Sequence, residues 1–197
     1  MCDLSASLKI TSYSSTWTCT NKIPNTAICS GSTSSWTGVT CVSGAFTSIS
    51  LIYASLSGSI SSSIGYLTSL STFNIGANSV FGSIPSSFGY LLSLSYFNMG
   101  TNLLTGTIPS QLGSLTKLVL LGLDTNELTG TVPSSLCGII AFTNLALYTN
   151  NLACYAPCLS SVSGQDYGTL IACTQSPTSG MAYIASCDIF SILLSWY

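Results

Sequence analysis

Between Phe46 and Cys158, the pattern of apolar and polar positions recurs every 24 residues. The same position is occupied, for example, by Leu70, Leu94 and Leu118. Within a copy, the apolar residues fall at relative positions 1, 4, 6, 11, 15, 19 and 22. In the third copy these residues are Leu94, Phe97, Met99, Leu104, Ile108, Leu112 and Leu115. A unit of this length cannot bury its apolar face alone, so the pattern predicts that successive copies stack into a solenoid.

The apolar residues at positions 4 and 6 predict one short parallel strand per copy, with alternate side chains facing the core. These strands are expected in one sheet, centred on residues 49–51, 73–75, 97–99, 121–123 and 145–147. Asparagine recurs at position 9, where its amide is expected to satisfy buried backbone groups: Asn78, Asn102, Asn126 and Asn150. Glycine recurs four positions later, where a positive φ or a close backbone approach is expected: Gly58, Gly82, Gly106 and Gly130.

The resulting pattern, LxxLxLxxNxLTGxIPxxLGxLxx, resembles the plant-type leucine-rich repeat. The resemblance covers five copies, which begin at Phe46, Leu70, Leu94, Leu118 and Phe142. It implies an α/β-type solenoid of mostly β and irregular structure, a right-handed coil of about five repeats with capped ends. The corresponding domains are an N-terminal cysteine-containing cap (1–45), the repeats (46–158) and a C-terminal cap or docking tail (159–197).

Both ends of the repeat array carry cysteine motifs. The segment from Cys29 to Cys41, which ends in WTGVTC, resembles the N-terminal cap of secreted leucine-rich-repeat proteins and implies a Cys29–Cys41 disulfide. The segment LACYAPCLSSV (152–162) resembles a cysteine-bearing terminal repeat of protist members of the family.

The nine cysteines cluster towards the two ends of the chain, four before the repeats and five from Cys137 onward, as disulfides that stabilise the two caps require. So many cysteines in a small chain indicate an oxidising, extracellular or cell-surface location. At the C-terminal end, either Cys137 or Cys154 is expected to bond Cys158, and Cys173 is expected to bond Cys187.

Charged residues make up only 4% of the chain, against roughly 25% in ordinary globular proteins. There is no arginine and no histidine, and three lysines cannot neutralise a nucleic-acid backbone, which excludes nucleic acid as a partner. Few charges leave a monomer poorly dispersed. Covalent O-glycans on the abundant serines and threonines would compensate for this low solubility, and so would burial of the surface in an assembly.

The same residue inventory gives little support for catalysis. Asp124 and Glu127 are close in sequence but are predicted to lie on different surfaces, and no histidine is available as a base or metal ligand. We therefore expect no enzymatic activity, no metal and no cofactor. The C-terminal run IFSILLSWY is too short to span a membrane.

The outward positions of the predicted strands and of the turns after them form the candidate interaction surface on the concave face. Its residues are Tyr53, Thr72, Asn74, Tyr96, Asn98, Thr101, Leu120, Asp124, Thr125, Tyr148 and Thr149. A second candidate is an apolar assembly tail, comprising Ile189, Phe190, Ile192, Leu193, Leu194, Trp196 and Tyr197. Exposed apolar patches are expected on this tail and on one flank of the solenoid.

A third candidate surface consists of hydroxyl-Gly-hydroxyl triplets, expected to stack about 4.8 Å apart as on ice-binding solenoids. The triplets begin at Ser57, Thr105 and Thr129, and Phe81 interrupts the row.

Three functions follow from these surfaces. The preferred one is a structural protein that associates with copies of itself in a cell-surface or filamentous assembly and carries O-glycans. The alternatives are a ligand-recognition module and an ice- or glycan-binding protein.

Overall fold

The computed structural model describes residues 37–162, 164–170 and 172–173, and before them the backbone of five two-residue strands. Those strands are Leu8–Lys9, Cys19–Thr20, Ile23–Pro24, Cys29–Ser30 and Thr33–Ser34. Cys19–Thr20 pairs with Ile23–Pro24, and Cys29–Ser30 pairs with Thr33–Ser34, both antiparallel. From Phe46 onward the chain winds as successive coils, one per repeat, each named here by its number in the repeat array.

The first strand of every coil joins one seven-stranded sheet, here called the front sheet. Its strands are Val39–Val42, Ala45–Ser50, Thr72–Asn74, Tyr96–Asn98, Leu120–Gly122, Asn144–Ala146 and Gly164–Asp166. All pairs are parallel except the first, in which Val39–Val42 closes the N-terminal edge as an antiparallel strand. From Ser48↔Thr72 to Leu120↔Asn144 the paired residues are one full repeat apart, which confirms the predicted strands to within about one residue.

A short 3-10 helix forms the opposite side of each coil. The five helices are Ser62–Tyr66, Ser86–Tyr90, Ser110–Ser114, Ser134–Gly138 and Pro157–Ser161. In the three central coils an extended proline (Pro85, Pro109 or Pro133) precedes the helix. Proline suits this position because its missing N–H would have no helical partner there.

A six-stranded second sheet, which the sequence pattern did not predict, covers one flank. Its strands are Leu8–Lys9, Ser57–Gly58, Ser79–Gly82, Leu103–Thr107, Glu127–Gly130 and Asn151–Leu152. Here the paired residues are slightly less than one repeat apart, as in Phe81↔Leu103 and Thr105↔Glu127. The two sheets of the same coils therefore follow different registers.

The apolar repeat positions fill the space between these elements. Phe97, Met99 and Ile108 are each at most 3% exposed, which confirms the predicted core register. Phe73, Phe88 and Phe97 pack together across coils two and three, with ring centroids 4.5 to 5.9 Å apart. One continuous core thus runs through all five coils.

The recurring asparagines connect each coil to the one before it. The Oδ1 atom of Asn102 accepts from the Val80 N–H at 3.0 Å, and its Nδ2 atom donates to the carbonyls of Ile75, Met99 and Gly100. Asn126 and Asn150 repeat this arrangement one and two coils later. This is the predicted role of these side chains, and it explains why Asn102 and Asn126 are buried.

The C-terminal end differs from the sequence-based expectation in two respects. The front sheet continues past residue 158, because Gly164–Asp166 pairs with Asn144–Ala146, with Gly164 opposite Asn144 in a step shorter than the repeat. Cys173 bonds Cys154, so its predicted bond to Cys187 is wrong. The backbone explains the pairing, since the Cys173 N–H donates to the Tyr155 carbonyl and brings the two cysteines together.

The other disulfides agree with prediction. Cys29 bonds Cys41, and Cys158 bonds Cys137, which is one of the two partners proposed for it. Cys187 and tail residues 189–197 lie outside the described residues. Within the described part of the chain, no helix has the length and apolar character needed to cross a membrane.

Candidate functional site

The outer face of the front sheet is built from three side-chain rows that cross the coils. The first row comes from the first position of each strand and consists of Thr72, Tyr96, Leu120 and Asn144. The second row lies two residues later and consists of Asn74, Asn98, Gly122 and Ala146. The third row lies in the turn after the strand and consists of Gly76, Gly100, Asp124 and Tyr148. Because each strand of this sheet pairs with the same repeat position of the next coil, equivalent positions lie side by side. The face therefore has asparagines in its middle row in coils two and three, replaced by Gly122 and Ala146 in coils four and five, and Asp124 and Tyr148 in its turn row at the C-terminal end.

Asn74 was predicted to be a contact residue, but it is only 6% exposed and instead supports its neighbours. Its Oδ1 atom accepts from the Asn98 amide at 3.2 Å and from the Gly76 N–H. Asn98 in turn accepts from the Gly100 N–H at 2.9 Å and lies over Gly122, where a Cβ would come within 2.6 Å of its Oδ1 atom. These glycines let the amides lie flat across the coils.

Asp124 provides a negative charge near the C-terminal end of the face. Its carboxylate lies over Gly100, where an added Cβ would meet the Asp124 Oδ1 atom at 2.5 Å. The charge of Asp124, together with its hydrogen bond to the Tyr148 hydroxyl, raises the pKa of Tyr148 above its usual value. Burial and the charge of Asp166 act in the same direction.

The remaining predicted contact residues stand at the turn that follows each front strand. Tyr53, Thr101, Thr125 and Thr149 have φ between 52° and 56°, the left-handed region that residues with a side chain seldom adopt. At Tyr53, Thr101 and Thr125 the conformation is supported by the residue's own backbone N–H, which donates to the next coil, for example from Thr101 to the Asp124 carbonyl at 2.8 Å. These side chains lie at one edge of the face, and Tyr53 is 82% exposed.

A cleft of about 600 Å³ opens at the C-terminal end of this face. One wall is formed by Tyr148, Thr149 and Asn150, and the other by residues 166–170. The second wall is held in place because Tyr167 stacks on Tyr155 at 4.2 Å and donates its hydroxyl to the Leu159 carbonyl at 2.7 Å. Burial, and then Tyr155, raise the pKa of Tyr167 to about 12. Sequence reasoning missed this wall because residues 164–170 carry no repeat pattern.

The hydroxyl triplets of the second sheet are not aligned as expected for an ice-binding array. Because that sheet pairs out of step with the repeat, Thr105 lies opposite Glu127 and Thr129 lies opposite Asn151. Phe81 pairs with Leu103, and both side chains are about half exposed. The predicted straight rows are therefore staggered and interrupted by apolar and charged side chains.

Comparison with solved structures identifies the family to which this architecture belongs. A chain of the BIR3–SERK2 complex from Arabidopsis thaliana is 30% identical, with a TM-score of 0.63, over 76% of this chain and 79% of that chain. The chain is a plant-type leucine-rich repeat protein. The BIR2 ectodomain from Arabidopsis thaliana is 25% identical with a TM-score of 0.69, over 85% of this leucine-rich repeat chain and 87% of that ectodomain.

A plant ice-binding protein is also similar, at 25% identity and a TM-score of 0.63, over 76% of this leucine-rich repeat chain and 46% of that protein. No family model and no curated protein matches the chain. In the described part of this repeat protein, no group of three or more acidic or cysteine side chains is arranged to hold a metal ion.

Proposed function

We propose that this chain is a non-enzymatic, extracellular ligand-recognition module that binds a protein or peptide partner along the concave face of the front sheet. The observation that carries the proposal is the cleft beside Tyr148, which continues the concave face and ends it in a pocket. Ligand sites are usually concave, with a few polar groups that fix orientation. Tyr148 and Asp166 supply such groups in the cleft, and the Asp124 carboxylate lies on the adjoining part of the concave face.

Two further observations support this proposal. The similar structures include the complex of BIR3 with SERK2, in which one protein of this type is bound to another protein. The turns beside the face are fixed by hydrogen bonds between coils, and its asparagines by amide contacts with their neighbours. A surface ordered before binding loses less conformational entropy when it binds.

A naive displayed peptide library, selected on the intact protein, tests this function. Leu120 lies at the middle of the concave face and is half-buried, so Leu120→Arg places a bulky charge there without entering the core. The matched control is Thr107→Arg, which places the same side chain at an exposed position of the second sheet.

We expect most selected peptides to lose at least tenfold in affinity for Leu120→Arg and to keep their affinity for Thr107→Arg. Peptides that bind both variants as well as the parent protein would contradict the concave face as the recognition surface.

The second candidate function is that of a structural protein that associates with copies of itself. The low charge content of the chain is the feature that favours this function. In that role the apolar residues between Ile189 and Tyr197 would make contacts between copies, and O-glycans would cover the exposed hydroxyls. Deletion of residues 189–197 is expected to abolish particles larger than a dimer in sedimentation experiments. An unchanged particle size would contradict a role of the tail in self-association.

The predicted O-glycans have a separate test. The protein is secreted from a eukaryotic host, and its measured mass is compared with the mass of the polypeptide alone.

A further inference from the structure

Large apolar side chains are exposed along the flank opposite the second sheet, at the last residue of each of the first two 3-10 helices and in the segments that lead from the helices to the next front strands. Tyr66 and Tyr90 occupy the same place in coils one and two, at 86% and 70% exposure. Leu92 and Ile140, two positions further along in coils two and four, are 59% and 95% exposed. The rings lie along the solenoid, since Tyr90 Cδ2 would be 3.2 Å from a Cβ added at Gly65 of the preceding coil. These four side chains define the tyrosine flank.

The exposed apolar area of this flank is at the upper limit of what a free surface carries. With about 200 Å² for a fully exposed side chain of this size, the four residues present roughly 600 Å². The largest apolar patch of an ordinary monomer is about 300–600 Å², and a stable pair of proteins covers about 800 Å² on each partner. The tyrosine flank therefore supplies about three quarters of the area that one partner of a stable interface covers.

The equivalent positions in coils three and four are small, which makes the flank complementary to itself. Where coils one and two have Tyr66 and Tyr90, coils three and four have Ser114 and Gly138. A Cβ added at Gly138 would meet nothing within 4 Å, so this place is open. The Leu92 position becomes Thr116 in coil three. The first row thus has large side chains in coils one and two and small ones in coils three and four, whereas the second row alternates as Thr68, Leu92, Thr116 and Ile140.

We infer that the tyrosine flank binds a second copy of this chain in an antiparallel, two-fold symmetric dimer. A two-fold axis perpendicular to the solenoid and between coils two and three brings coil one against coil four of the partner, and coil two against coil three. Tyr66 then enters the open place at Gly138, and Tyr90 lies against Ser114. The same operation places Thr68 opposite Ile140, so each large side chain faces a smaller one.

The charges of the flank agree with this arrangement. Lys117 is the charged residue in the corresponding segments of the described coils, and it is exposed in coil three. The antiparallel dimer places it opposite coil two of the partner, so the two lysines do not face each other. A side-by-side dimer with coils in the same order would instead oppose Tyr66 to Tyr66 and Lys117 to Lys117, which combines steric and charge conflict.

Sedimentation of the full chain over a range of concentrations tests the dimer. The disrupting variant combines Tyr66→Ser, Tyr90→Ser and Leu92→Thr, which copies the residues of coil three and so keeps a sequence compatible with the fold. The matched control is Phe81→Thr, which removes a 52% exposed aromatic residue from the second sheet and introduces the residue of the next coil. We expect the dimer dissociation constant to rise about a hundredfold in the first variant and to stay unchanged in the control.

The antiparallel arrangement has its own test. Gly138→Tyr fills the open place and is expected to weaken the dimer at least tenfold, whereas Gly138→Tyr combined with Tyr66→Ser exchanges the large and small sides and restores it. A full chain that stays monomeric, or a disrupting variant that dimerises like the parent, would overturn the interface. A Gly138→Tyr dimer of unchanged strength would overturn the antiparallel arrangement.

Discussion

At the scale of single residues, the repeated asparagine contributes most clearly to the stability of this solenoid. Asn102 makes four hydrogen bonds to backbone groups, two of them in its own coil and two in the preceding coil. The sequence predicted this role because only an amide offers both donors and an acceptor at a buried turn. It did not predict that Asn74 is buried, because Asn74 and Asn98 occupy the same repeat position and differ only in what the neighbouring coil places over them.

Substitution of Asn102 by alanine should therefore destabilise the protein markedly. The change leaves the Val80 N–H and several carbonyls without partners in a buried place, at a cost of about 2–4 kcal/mol. Urea denaturation followed by circular dichroism measures it. The control is Asn151→Ala, at an exposed position, for which a change below about 0.5 kcal/mol is expected. Equal effects of the two substitutions would contradict the role of the buried amide.

The raised pKa of Tyr167 predicts how the stability of the protein changes at alkaline pH. Its pKa is raised from 10.0 to about 12, so the folded state favours the protonated phenol. The stabilisation is then fully present below pH 10 and is lost as the pH rises through about 12. An absorbance titration of phenolate should show one tyrosine that ionises near pH 12 in the parent protein and is missing in Tyr167→Phe. A titration curve that loses its component near pH 10 instead would contradict the assignment.

At the scale of elements, the two sheets differ in how far the sequence determines them. The front strands follow from apolar residues such as Phe97 and Met99, whose alternation specifies one buried face. The second sheet has a single buried residue in most of its strands, for example Leu128 between exposed Glu127 and Thr129, so alternation is too short to predict it. Its shifted register depends on how the strands are inclined in three dimensions, which the period of the repeat does not encode.

The C-terminal disulfides were likewise only partly predictable, because sequence spacing left two partners open for Cys158. They enclose loops of 21 and 19 residues, and each is expected to contribute about 3 kcal/mol in the chain-entropy model. Replacement of Cys154 and Cys173 by serine should loosen the last coil alone. Hydrogen exchange should quicken at the Leu147 N–H, which donates to Asp166, and stay slow at the Met99 N–H, which donates to Gly122. Equal acceleration at both amides would contradict this local role.

At the scale of the whole molecule, the scarcity of charge determines how association responds to the solvent. The chain has three basic and five acidic residues, and the tyrosine flank is mostly apolar. Charge-steered association weakens steeply with salt, whereas association through apolar surface does not. The sequence predicted exposed apolar residues on one flank, but it could not identify Gly138 as open space, because that depends on the packing of coils four and five.

We therefore expect the dimer dissociation constant to change by less than about threefold between about 0.05 M and about 0.5 M sodium chloride. Sedimentation velocity at the two salt concentrations measures it. The control protein is Lys117→Ala, which removes the lysine of the flank and should respond to salt in the same way. A dissociation constant that rises tenfold or more with salt would indicate contacts made by charges rather than by the tyrosine flank.

The asparagine connections also have a direction, with a consequence for how the protein emerges from the ribosome. Asn78 satisfies the Ala54 and Leu56 N–H groups of coil one, and Asn102 does the same for Val80 in coil two. Each coil is therefore completed by a side chain that is synthesised a full repeat later. A nascent chain always carries one unfinished coil at its growing end, and truncation between coils leaves that coil exposed. Removal of the first coil would instead leave the Asn78 amide solvated, but it would also expose the apolar side chains of coil two, such as Phe73 and Val80, which are buried against coil one.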